Sequence, residues 1–99
     1  MDEKVRRFAA SVRKHFNTQS ILFFGSRARG DFLTDSDYDF IIVSNDFERT
    51  DFLDRIKEVF KKTGTTIHAD ILCYTPKEFE GKKKQIGTVR TAAKEAISI

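Results

Sequence analysis

The stretch from Gly25 to Val43, GSRARGDFLTDSDYDFIIV, constrains this chain more than any other. An apolar run, Ile21 to Phe24, ends in Gly25-Ser26 and leads into Arg27-Ala28-Arg29, a segment that can be helical. A strand ending in a small, flexible turn at a helix start is a common phosphate holder. The first backbone N–H groups of the helix have no partner within it, and the helix dipole favours an anion. Gly25 can take a positive φ and has no Cβ to block a phosphate, and Ser26 adds a hydroxyl. Alone, a Gly-Ser turn fits the end of an ordinary strand just as well.

The second half of the stretch supplies what the turn lacks. Ser36-Asp37-Tyr38-Asp39 runs directly into Phe40-Ile41-Ile42-Val43, an apolar, β-branched and aromatic run expected to be a strand buried on both faces. On a strand, Asp37 and Asp39 share a face about 7 Å apart along the backbone. Two carboxylates in a poorly hydrated place repel each other and take up protons. A divalent cation removes that problem, and carboxylate, phosphate and water oxygens are what Mg²⁺ prefers. D-x-D alone is more often a solvated acid pair at the start of a strand. With a phosphate-type turn just before it, anion and cation sites fall side by side.

The remaining sequence predicts the frame. Residues 3–16 carry Val5, Phe8, Ala9, Val12 and Phe16 at helical spacing, with Arg6, Arg7, Arg13 and Lys14 on a solvated face. Residues 17–20 connect to the strand at 21–24. His15 has no partner at metal-ligand spacing and reads as a surface residue. Residues 44–49 read as a loop into which Phe47 can pack. A second amphipathic helix is expected over 50–62, capped by Thr50, stopped by Gly64, with Phe52, Leu53, Ile56, Val59 and Phe60 on its apolar face. Residues 65–74 read as a third strand, with His68 at a half-buried position. Asp70 lies in it between Ala69 and Ile71, a poor place for a charge unless something pairs with it. Thr75-Pro76-Lys77-Glu78 is a strong helix start. Apolar positions follow at Phe79, Ile86, Val89, Ala92, Ala93, Ala96 and Ile97, with a break near Gly87. The apolar end, Ile97-Ser98-Ile99, hints at a docking surface. The order helix, strand, short helix, strand, helix, strand, helix suits an α/β fold: a small mixed sheet of at least three strands with helices packed against it.

Composition sets the class. Ninety-nine residues, 39% hydrophobic and 33% charged, suit a single soluble domain spanning 1–99. No apolar stretch is long enough to span a membrane, and the start is not a secretory signal. One cysteine, Cys73, excludes an internal disulfide and suits a reducing cytoplasm. A net charge of +3 permits nucleic-acid binding without demanding it. Lys82-Lys83-Lys84 is too short a cluster to argue for it.

The arrangement G-S-x-A-R-G, five residues, then S-D-x-D resembles the signature of the DNA polymerase β-like nucleotidyltransferases, and most closely their minimal nucleotidyltransferase (MNT) family. The matching positions are Gly25, Ser26, Ala28, Arg29 and Gly30, then Ser36, Asp37 and Asp39. The resemblance implies a nucleotidyltransferase fold and an enzyme that moves a nucleoside monophosphate from an NTP to a hydroxyl. Asp37 and Asp39 would bridge two Mg²⁺ ions. A carboxylate on a later strand completes the site in that family, and Asp70 is the sole acid between Glu58 and Glu78. Asp37, Asp39 and Asp70 are thus the expected catalytic and metal residues, with Gly25, Ser26 and Arg29 at the nucleotide. Arg27 falls where the family pattern is open.

With about 30 residues after Asp70, the chain is expected not to form an acceptor site by itself. The resemblance implies that the acceptor is a protein, a HEPN-type toxin to which this chain would be the cytoplasmic antitoxin, and that ATP is the donor. A non-catalytic antitoxin that only masks its partner is the rival, although a masking surface has no need of three clustered acids. A nucleic-acid-binding domain is the other, supported by the basic pI alone and lacking a reading helix or an exposed aromatic platform.

Overall fold

The computed structural model describes residues 2–33 and 36–99. Its elements are α1 (Glu3–His15), β1 (Thr18–Phe24), α2 (Gly25–Arg29), β2 (Tyr38–Ser44), α3 (Phe52–Thr63), β3 (Ala69–Tyr74), α4 (Pro76–Lys83), α5 (Thr88–Glu95) and β4 (Ile97–Ser98). The strands form one mixed sheet in the order β3-β2-β1-β4. β1 runs antiparallel to β2 and β4, while β2 and β3 are parallel. This is the expected α/β architecture with one more strand. No helix among the described residues is long and apolar enough to cross a membrane.

β2 is the spine because its residues have no polar face to give to water. Phe40, Ile41 and Ile42 are fully buried. Alternation sends Phe40 and Ile42 into a cluster with Val5, Phe8 and Val12 of α1 and Val59 of α3. Ile41 and Val43 join Tyr74, Phe79, Val89 and Ala92 on the other side. Each fully buried large apolar side chain stabilises the fold by roughly 1.5–3 kcal/mol. Asp39 therefore sits on the face of α4 and α5, and Tyr38 on the face of α1 and α3.

The helix ends follow local chemistry. The Asp2 carboxylate accepts from the Lys4 N–H at 2.8 Å and starts α1. Gly64, at φ +61°, ends α3. At α4, Thr75 and Glu78 form the expected capping box with Pro76 inside it.

Several expectations are corrected. β1 begins at Thr18, three residues early, and residues 97–98 form a short strand rather than a free apolar end. The Ile99 N–H donates to the Ile21 carbonyl at 2.9 Å, which ties that end down. β3 begins at Ala69, not residue 65. Upstream of it the Thr63 and Thr65 hydroxyls accept the N–H groups of Thr65 and Ile67, so the backbone turns instead of extending. The cap of α3 is Asp51, one residue after Thr50. Leu53 (72% exposed) and Ile86 (92%) lie outside the core despite their apolar spacing. His68 is exposed and precedes β3. Phe47 is fully buried within a short 3₁₀ turn, Asn45–Phe47.

The side chain that apolar spacing cannot reveal is Arg55, 5% exposed on α3. Its guanidinium donates to the carbonyls of Thr50 (2.8 Å) and Cys73 (3.1 Å) and to both oxygens of Glu78 (2.6 and 3.2 Å). A buried charge is tolerated when its donors are filled in this way. The contact joins α3, the end of β3 and the cap of α4.

Candidate active site

Strand pairing assembles the site. In the β1–β2 register Phe24 lies opposite Asp39, so Gly25, the next residue, meets the Asp39 side chain. In the β2–β3 register Asp39 lies opposite Asp70. Asp37 stands just ahead of β2, exposed, as is Asp70, while Asp39 is half-buried. Residues separated by 14 and by 31 positions thus reach one end of the sheet.

Gly25 and Asp39 are in closer contact than a shared neighbourhood requires. Gly25 has φ +81°, a conformation L side chains rarely adopt, and a Cβ placed on it would overlap Asp39 Oδ2 and stand 3.0 Å from Asp39 Cγ. The turn is a cradle that a methyl group would fill. α2 starts at that glycine with no side chain capping its first turn. The Gly30 N–H closes the helix onto the Ser26 carbonyl at 2.9 Å.

The electrostatics follow from the placement. Burial raises the Asp39 carboxyl above its ordinary range, the negative charges of Asp70 and then Asp37 raise it further, and Arg29 opposes them. Arg29 itself is half-exposed, with Nε 3.3 Å from Asp31 Oδ2 and Nη1 3.6 Å from Glu95 Oε2, so it links α2 to the end of α5.

Two arginines separated by one residue do different work. Arg27 turns to the opposite face, where Nε donates to the Ser36 carbonyl at 2.7 Å and its guanidinium lies 4.4 Å from the ring centres of both Phe32 and Tyr38. The Tyr38 hydroxyl donates to Asp2 Oδ2. On this side a groove of about 700 Å³ opens between α1 and residues 63–68, with Lys4, Arg7, Asp37, Tyr38 and His68 on its walls. Asp37 stands at its border. Neither Asp2 nor the Arg27–Tyr38 contact is visible in the sequence pattern.

Among the described residues no three of His, Cys, Asp and Glu converge as a preformed metal cage. The donors nonetheless suit Mg²⁺, which binds through one or two carboxylates completed by substrate phosphate and water rather than through an all-protein cage. The mutual repulsion recorded at Asp39 is what such an ion would relieve. Asp39 and Asp70 are the pair in register, and Asp37 stands two residues before Asp39.

Comparisons with known proteins bear on the family and the fold. The family model described as nucleotidyltransferase domain matches residues 5–96. The crystal structure of a candidate nucleotidyltransferase from Sulfolobus solfataricus superposes with a TM-score of 0.67 at 22% identity, covering 97% of this chain and 76% of that one. BolA1 from Arabidopsis thaliana superposes at 0.59 and 19% identity, over 79% of this chain and 98% of its own. At such identities both speak for the fold alone. No curated protein sequence matches the chain.

Proposed function

The chain belongs to the nucleotidyltransferase domain family, and from that premise we propose that it transfers a nucleoside monophosphate, AMP from ATP, to a hydroxyl on a partner protein. The observation that carries this reading is the contact between Gly25 and Asp39. It fuses the phosphate turn to the acid pair, so that a bound triphosphate would lie against the carboxylates.

Gly25 and the N–H groups that open α2 would hold the phosphates, with Ser26 adding its hydroxyl. Asp37, Asp39 and Asp70 would hold Mg²⁺, two ions in the full arrangement. When bound, the metal supplies charge neutralisation at the phosphates and a lowered pKa for the attacking hydroxyl. Asp70, exposed on the outer strand of the pair, would accept the hydroxyl proton. Arg29 tempers the negative charge around Asp39 from α2.

A partner-borne acceptor rests on the resemblance to the minimal nucleotidyltransferases. Positioning is a large part of phosphoryl-transfer catalysis. The resemblance to minimal nucleotidyltransferases makes that partner a HEPN-type toxin and this chain its antitoxin.

The test is mass spectrometry of the partner protein after co-expression or incubation with labelled ATP and Mg²⁺. The expected result is a nucleotide-sized mass gain that vanishes with Asp39→Asn. Neutralisation of the partner without any modification would instead establish the masking alternative, and efficient tailing of free RNA would overturn the acceptor assignment.

A further inference from the structure

We propose that Tyr38, held by Asp2 and Arg27, is a positioning residue for the carboxylates of Asp37 and Asp39. The inference rests on the metal-site reading above and adds to it the group that sets its geometry. Tyr38 is the residue between the two acids, and strand alternation turns its ring to the opposite face of the sheet. There it is 6% exposed, packed 6.1 Å from Phe23 and 6.3 Å from Phe40, centre to centre. A buried phenol hydroxyl needs a partner. It finds two: it donates to Asp2 Oδ2, and Arg27 Nη1 approaches it at 3.4 Å.

The same arginine donates to the Ser36 carbonyl, on the far side of Asp37. The Tyr38 N–H donates to the His68 carbonyl at 3.0 Å. Asp37 precedes β2, and the peptide units on either side of it are held by these two hydrogen bonds, to the Ser36 carbonyl and from the Tyr38 N–H. The ring acts as an anchor: hydrogen bonds on the α1 face fix the backbone from which Asp39 projects to the other face and Asp37 to the border of the groove. Asp2, through its second oxygen, also caps α1, so the first helix and the acid pair share one anchor.

Three variants separate positioning from packing. Tyr38→Phe keeps the ring and removes the hydroxyl. Asp2→Asn keeps both an acceptor oxygen and a good cap, whereas Asp2→Ala removes both. Mn²⁺ binding to the purified chain in the presence of a non-hydrolysable ATP analogue, followed by electron paramagnetic resonance well below the melting temperature, is the readout. Loss of a group that orients metal ligands commonly weakens binding about tenfold or more. Tyr38→Phe and Asp2→Ala are expected to show that loss, and Asp2→Asn to recover most of it. A lowered melting temperature in Tyr38→Phe with unchanged Mn²⁺ affinity would reduce the network to packing and overturn the inference. Failure of the unaltered chain to bind Mn²⁺ would overturn the metal site itself and this inference with it.

Discussion

Asp39 is held above its ordinary pKa of 3.8 first by burial and then by Asp70 and Asp37. The folded protein therefore binds that proton more tightly than the unfolded chain. Stability contributed by the protonated form is present at low pH and falls as pH rises from the ordinary value through the raised one. Asp39→Asn, which has no charge to lose, should raise the melting temperature near neutral pH, flatten this segment of the stability profile, and lower transfer by at least about a hundredfold, the scale of losing a group at the reacting phosphate. A melting temperature equal to or below the parent's at pH 7 would contradict the burial argument. Gly25→Ala tests the other half of the contact. The left-handed backbone costs about 1–2 kcal/mol with a Cβ, and the methyl must also displace the Asp39 carboxylate. Titrations should show weaker binding of both ATP and Mn²⁺, whereas Ser26→Ala should lose only the roughly 0.5–1.5 kcal/mol of a single neutral hydrogen bond, on ATP alone. Asp37, Asp39 and the turn could be singled out in sequence because they lie within 15 residues and obey strand and helix-start rules, whereas Asp70, 31 positions beyond Asp39, was joined to them through the family resemblance. The Tyr38–Asp2 bond was not, since it spans 36 positions and no local rule pairs a phenol with a helix cap.

At the scale of elements, apolar spacing located every helix of eight residues or more and all three long strands, and the capping box at Thr75 was placed to the residue. It failed where polar side chains decide. Thr63 and Thr65 shorten β3 by bonding the backbone, and on α3 Arg55 is buried while Leu53, expected on the apolar face, is exposed. Glu78 is the residue on which this hidden junction turns. Its pKa is lowered, chiefly by its hydrogen bonds to Arg55. The stability it contributes is thus complete above its ordinary value of 4.5 and is lost as pH falls through the lowered one. Glu78→Gln should unfold at lower denaturant concentration at pH 7, with the gap from the parent closing under acid conditions. Arg55→Met, which leaves the carbonyls of Thr50 and Cys73 without their donor, should cost more at pH 7, about 1–3 kcal/mol for each acceptor left buried. Urea melts at two pH values would show both effects, and equal losses for Glu78→Gln at pH 7 and pH 3 would refute the ion-pair account.

Over the whole molecule, the sheet joins its strands across very different spans of chain. β1 and β2 are consecutive and antiparallel, so they can pair early, whereas β3 reaches β2 only after α3 has crossed over to set it parallel. Asp39 therefore meets Asp70 at a particular moment, when the last long strand docks, and that step has to push two negative charges together. The acids of the candidate site would then be a brake on the chain's own assembly. Stopped-flow refolding at neutral pH should accelerate when Asp70 is replaced by Asn, and Mg²⁺ should accelerate the parent chain but not the variant. An ion that binds these acids would thus hasten the folding of the site it occupies.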